Sequence, residues 1–216
     1  MGITERRARE REEMRVRIME AARCLFAKEG YEAVTLRRVA DAIEYSPAAI
    51  YKYFQDKDDM VRALVEDDVA VLLDAFQPAL AKCTPLERLR TLGLAYMDMA
   101  YDQPNHYRLM CMTRMPAGAK SEALEAGRGD PNTDAYALYV SVIADCISRG
   151  LFRDEFLDPE LVAQTLWAGL HGIASLHITF CDKPGVEWRP VRDRVRVMQD
   201  LLIGGMVKPH IEGSAA

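Results

Sequence analysis

Residues 34–57, VTLRRVADAIEYSPAAIYKYFQDK, constrain this chain more than any other stretch. Thr35 precedes an apolar face at Leu36, Val39, Ala40 and Ile43, the i, i+3, i+4, i+7 spacing of a helix. Ser46-Pro47 then reads as a second N-cap with proline at the first helical position. The helix that follows, Pro47 to Phe54, is too short to be stable alone and has to pack through Ile50 and Phe54. Pro47, Ala48, Ala49, Tyr51, Lys52 and Tyr53 are left to other faces. Small residues leading, with hydroxyls and an ammonium behind them, suit a helix that enters a DNA major groove by its N-terminus.

The rest of the chain reads as helix. A first helix begins between Thr4 and Arg15, carries Ile18, Ala21, Ala22, Leu25 and Phe26 as its stripe, and stops at Gly30. A long fourth helix opens at Asp56–Asp59 and runs to about Lys82, with Pro78 as a possible kink. Further helices are expected at 86–102, around 106–113, at 133–149, from Asp158-Pro159 to about Thr179, and at 190–206. Residues 114–133 read as a loop with one helical turn at Ser121 to Ala126. The expected fold is all-α. A three-helix head with its N-terminal arm fills residues 1–57, and about six helices fill residues 58–216.

Charge supports that division. Residues 1–57 hold twelve Lys/Arg against ten Asp/Glu, and residues 58–216 hold sixteen against twenty-three. A slightly basic head on an acidic body confines DNA attraction to one end. Cys24, Cys83, Cys111, Cys146 and Cys181 are odd in number, without a CxxC pair, which fits a reducing cytoplasm better than a disulfide framework. No apolar run reaches the ~18 residues of a membrane span, and no signal-peptide core is present. The arginines at 6, 7, 9 and 11 alternate with Glu5, Glu10, Glu12 and Glu13, the pattern of a solvated helix face, with reach to a minor groove or phosphates as the alternative.

Residues 15–65 resemble the DNA-binding domain of the TetR family of bacterial repressors. The match runs through Ile18, Ala21-Ala22, Leu25-Phe26, Gly30-Tyr31, Val34-Thr35, Val39-Ala40, Ser46, Ala49-Ile50-Tyr51, Tyr53-Phe54 and Lys57. The family usually places Gly in the turn between the two helices; here Glu44 stands there, in a left-handed position that costs a non-glycine residue about 1 kcal/mol. Trp167, His171 and Gly172 resemble the Trp-His-Gly signature of one C-terminal domain type within the family. The resemblance implies a homodimeric, ligand-responsive regulator, a repressor, on a palindromic operator. It places Arg37 where the second helix touches base or backbone, and it makes Tyr51 and Lys57 phosphate contacts, with Tyr53 beside them and Lys52 at base or backbone. Thr35 and Ser46 are expected as helix caps turned toward phosphate.

Tyr96, Met99, Tyr107, Met110 and Met115 fall in a Met- and Tyr-rich run, and with Tyr136, Trp167 and His171 they are the expected wall of a pocket for an apolar or aromatic molecule. Ordinary core packing is the competing reading for each. No nucleophile elbow, phosphate loop or metal-hydrolase motif occurs, so neither enzyme activity, cofactor nor metal is expected. The rival functions are a ligand-independent architectural DNA binder and an all-helical enzyme.

Overall fold

The computed structural model describes residues 2–113 and 121–209. Among them are ten α-helices: α1 (Ile3–Ala33), α2 (Leu36–Ala42), α3 (Pro47–Ile50), α4 (Lys57–Leu80), α5 (Pro85–Asp102), α6 (Pro104–Tyr107), α7 (Glu122–Ala126), α8 (Ala135–Ser148), α9 (Pro159–Phe180) and α10 (Val191–Met206). A π-helical turn, Arg108–Met112, continues α6. The described residues contain no strand, only an isolated antiparallel bridge between Phe152 and Val207.

The chain forms two compact units. The first comprises Met1–Val71 and Gln103–Ala126, the second Leu72–Asp102 and Gly127–Ala216. By compactness, then, the head runs on past residue 57 and also takes in α6 and α7.

In the first unit the apolar faces of α1 to α4 share one core, which includes Ile18, Ala22, Phe26, Val39, Ile50, Phe54, Met60 and Leu64 and also buries Leu109 from the π-helical turn. Gly30 has φ +79°, so the chain leaves helical geometry where the glycine predicted a stop. The Thr35 hydroxyl accepts from the Arg38 N–H at 3.1 Å and caps α2. At the other end of α2, Tyr45 N–H donates to the Ala40 carbonyl (2.9 Å) and Glu44 N–H to the Asp41 carbonyl (3.3 Å). This is the pairing of a Schellman motif, and Glu44 holds its left-handed position at φ +61°.

Two expectations about α3 change. Ser46 sits at the N-cap, but its hydroxyl makes no capping bond. The Ala49 N–H is satisfied at 2.9 Å by the Ser46 carbonyl instead, a tight i→i+3 closure that leaves the side chain without that task. The helix ends at Ile50 rather than Phe54, and residues 51–53 continue as turns in which Tyr53 and Phe54 N–H groups both donate to the Ile50 carbonyl (2.9 and 3.1 Å). In α4, Asp56 accepts from Asp59 N–H (2.7 Å) while Asp59 accepts from Gln55 N–H (2.8 Å), a reciprocal cap.

In the second unit, Asp134 caps α8 and Asp158 caps α9, each carboxylate accepting two N–H groups from the first turn of its helix. Close approach is set by glycines. A Cβ on Gly93 would collide with the Gln199 amide, which donates to the Arg90 carbonyl at 3.1 Å, and a Cβ on Gly169 would meet Met198 Sδ at 2.9 Å. Arg192 of α10 grips Asp98 of α5 with two hydrogen bonds, 3.0 and 2.6 Å.

Candidate functional site

The α2–α3 surface is polar and largely unemployed within the chain. Arg37 is exposed and has no ion-pair partner among the described residues, whereas its neighbour Arg38 holds Glu29 at 3.0 Å. Tyr51 is 58% exposed, and Lys52 and Ala48 are exposed beside it. Pro47 and Ala49 are half-buried, because Ile50 seats the helix in the core and turns them toward its edge. Thr35 and Ser46 are both exposed at the leading ends of their helices. These residues therefore lie on and around the two short helices, with backbone N–H ends, hydroxyls and cations facing outward, the equipment for holding phosphates while a short helix approaches base edges.

Tyr53 and Lys57 have intrachain roles that the spacing alone did not reveal. Tyr53 is half-buried, with the Arg11 guanidinium 6.0 Å from its ring centre. Lys57 is half-buried; its ammonium donates to the Tyr31 carbonyl at 3.0 Å and lies 3.9 Å from the Tyr31 ring centre. The Tyr31 hydroxyl donates in turn to Asp58. Burial first, and that bond second, push the Tyr31 phenol up to about 12.

A buried polar cluster in the same unit was not visible in sequence. Arg23 is 1% exposed. Its guanidinium donates to Asp68 (3.0 Å), Asp67 (2.7 Å) and Glu20 (2.6 Å), and His106 Nδ1 lies 2.8 Å from Asp68. Asp67, Asp68 and His106 lie close enough together to hold a metal ion, but Arg23 already supplies a cation to the two carboxylates.

The residues expected around a ligand separate. Tyr96 and Met99 on α5, Tyr136 on α8, and Trp167 and His171 on α9 belong to the second unit. Three of them meet: the Trp167 indole N–H donates to the Tyr96 hydroxyl at 3.0 Å, and the Tyr136 and Trp167 rings lie 5.9 Å apart at 52°. The Tyr136 hydroxyl donates to Glu160 at 2.6 Å, and its phenol is raised by burial first and by that bond second. Tyr96 and Met99 are buried and Trp167 is 41% exposed. Tyr107, fully buried, and Met110 belong to the first unit, because the chain enters it again at Gln103. Met115 lies outside the described residues.

A small three-helix head with an outward-facing pair of short helices, on a chain that continues into a helical bundle, is the architecture of a helix-turn-helix DNA-binding regulator. Residues 18–64 match the family described as bacterial regulatory proteins, tetR family, and residues 89–180 match a tetracyclin repressor-like C-terminal domain. The match names that domain rather than the Trp-His-Gly type. The chain is 33% identical over 150 residues to the HTH-type transcriptional repressor KstR of Mycobacterium tuberculosis H37Rv, covering 62% of this chain and 67% of that one. It is 26% identical over 146 residues to the repressor KstR2 of M. tuberculosis CDC 1551 / Oshkosh, covering 67% and 72%. A solved structure of a protein of unknown function from Rhodococcus sp. RHA1 superposes with a TM-score of 0.69 at 25% identity, over 90% of this chain and 95% of that one. The chain belongs to the TetR family of bacterial regulatory proteins. No described helix is long and apolar enough to cross a membrane.

Proposed function

We propose that the chain is a ligand-released repressor: a homodimer that holds a palindromic operator with residues 1–57 and binds an apolar or aromatic effector with residues 58–216. One observation carries the DNA assignment. Arg37, Tyr51 and Lys52 stand exposed on and beside α2 and α3, and among the described residues Arg37 has no ion-pair partner. Arg37 reads bases or backbone, Tyr51, Tyr53 and Lys57 hold phosphates, and Thr35, Ser46, Pro47, Ala48 and Ala49 bring the helix ends close to the duplex. Pro47, Ala48 and Ala49 offer bases no side-chain hydrogen bonds, so specificity leans on Arg37, Lys52 and DNA shape.

For the effector we assign Tyr96, Met99, Tyr136, Trp167 and His171. Tyr96, Tyr136 and Trp167 meet in a largely apolar group with few polar tips, and no Arg or Lys stands among the five, so a multiply charged anion would lack counter-charge there. Trp167, His171 and Gly172, all on α9, resemble the Trp-His-Gly signature. For the dimer we assign α9 and α10. Leu161, Leu176, Phe180, Val197 and Leu201 are exposed there, and a Cβ at Gly172, Gly204 or Gly205 would meet nothing, so a second chain can approach closely. Effector binding favours a state whose heads no longer match the operator spacing, and α4, which passes from the first unit into the second, is the lever.

Selection of genomic fragments by the purified protein, followed by a ligand screen reading melting temperature and operator release together, tests both halves. The two readouts are thermodynamically linked, so an effector must move both. A protein that selects no sequence, or that holds its operator against every compound of a broad apolar library, refutes the repressor reading; the second result favours an architectural DNA binder.

A further inference from the structure

The arm of α1 extends past the head's core, and its charges are not equivalent. Arg6 pairs with Glu10 (3.4 Å), Arg9 with Glu13 (3.5 Å) and Arg15 with Glu12 (3.8 Å). Arg17 reaches the Ile43 carbonyl at 3.4 Å and lies over the Tyr45 ring. Arg7 and Arg11 have neither a carboxylate partner nor a backbone carbonyl to hold among the described residues. They are four residues apart, on the line that becomes the apolar stripe Met14, Ile18, Ala22 and Leu25 one turn further on. Where that line leaves the core it turns basic.

Both arginines line one open cleft of about 510 Å³ whose other walls are Glu10, Met14, Lys52 and Tyr53. Three cations and a phenol thus converge from two elements, α1 and the turn after α3. The single carboxylate in the cleft, Glu10, is held by Arg6. The Tyr53 ring backs Arg11 at 6.0 Å. Apart from Met14 every wall residue carries a charge or a hydroxyl at its tip. An anion finds two forked donors, an ammonium and a hydroxyl.

We infer that this cleft is a phosphate seat for the DNA backbone flanking the groove entered by α3, with Arg7 and Arg11 as the arm's contacts and Lys52 shared between arm and recognition helix. The inference rests on the proposed DNA binding of the head and deepens it. The walls commit it to phosphate rather than to minor-groove base readout. Arg11 lies over the Tyr53 ring, Arg7 faces the same cleft, and neither projects alone from the tip of the arm.

The test uses the full-length protein with mixed-sequence, A·T-only and G·C-only duplexes, and measures affinity across a salt series. Each lost phosphate contact lowers the slope of log K against log salt by about 0.9. Arg7→Ala with Arg11→Ala is expected to lower the slope by about two per head and to weaken all three duplexes alike, by about tenfold or more at 0.1 M salt. Glu10→Gln, which removes the opposing charge, is expected to tighten all three. Both arginines are exposed, so the melting temperature should not move. If wild type binds DNA but the double variant keeps its affinity and slope, the seat is wrong and the DNA-binding reading stands. A loss confined to A·T duplexes overturns it in favour of minor-groove readout. A wild type that binds no duplex at all overturns both.

Discussion

At Glu44 the chain puts a glutamate in the left-handed backbone position that closes α2. The Schellman bonds around it are intact, so the strain is local and bears on stability rather than on the path of the chain. Glu44→Gly is expected to stabilise the protein by about 0.5–1 kcal/mol in chemical denaturation, with operator affinity unchanged. Lys57 carries a double load of another kind. Lys57→Ala removes the bond to the Tyr31 carbonyl and is expected to lower stability by about 1 kcal/mol, and also to cut the salt slope of DNA binding by roughly one counterion; a stability loss without a slope change would assign Lys57 to the fold alone. The neighbouring phenol gives a pH test. Tyr31 titrates at about 12 in the fold, above its ordinary value of 10.0. Its share of stability is therefore fully present below pH about 10 and is lost as pH climbs toward 12. An absorbance titration should show a late phenolate step that Tyr31→Phe removes, and an unchanged titration curve in that variant would contradict it.

Among the elements, helix starts and stops were the most legible part of the sequence. Gly30, Thr35, Asp158 and Pro159 act locally, through one glycine dihedral, two caps and one ring, and each does what its residue type predicts. Ser46 misled because a backbone carbonyl did the work its hydroxyl was expected to do. The buried cluster was illegible for a different reason. Arg23 and Asp68 lie forty-five residues apart, and on helices with many charges nothing in their spacing marks them as the pair that goes inside. The unit that Tyr107 and Met110 enter was equally illegible, since a Met- and Tyr-rich run says nothing of which unit it joins. The cluster that joins α1 to α4 yields the largest expected single-residue effect. Asp68→Asn strips a carboxylate with no exposure from a guanidinium that is 1% exposed, and about 3–5 kcal/mol of stability should go with it. Asp67, 47% exposed, should cost about 1 kcal/mol or less in the same denaturation measurement.

For the whole molecule, assembly is the property most open to test. Leu201 is 71% exposed on α10 and makes no claim on the chain's own core. Leu201→Glu should leave helix content intact and shift sedimentation from a dimer to the 24.3 kDa chain; a wild-type protein that already sediments at that mass would end the dimer proposal. The membership of the first unit has a consequence for anyone wishing to cut and paste these regulators. Leu109, 1% exposed, completes the core of the head, yet it arrives some forty-five residues after Leu64, the buried residue of that core that precedes it in sequence. A head excised after residue 57, or even after Val71, carries an empty socket where that side chain belongs. A chimaera that grafts the head onto a foreign body inherits the same gap unless residues 103–126 travel with it. Interchangeable parts, in this chain, are bounded by a tertiary plug and not by a position along the sequence.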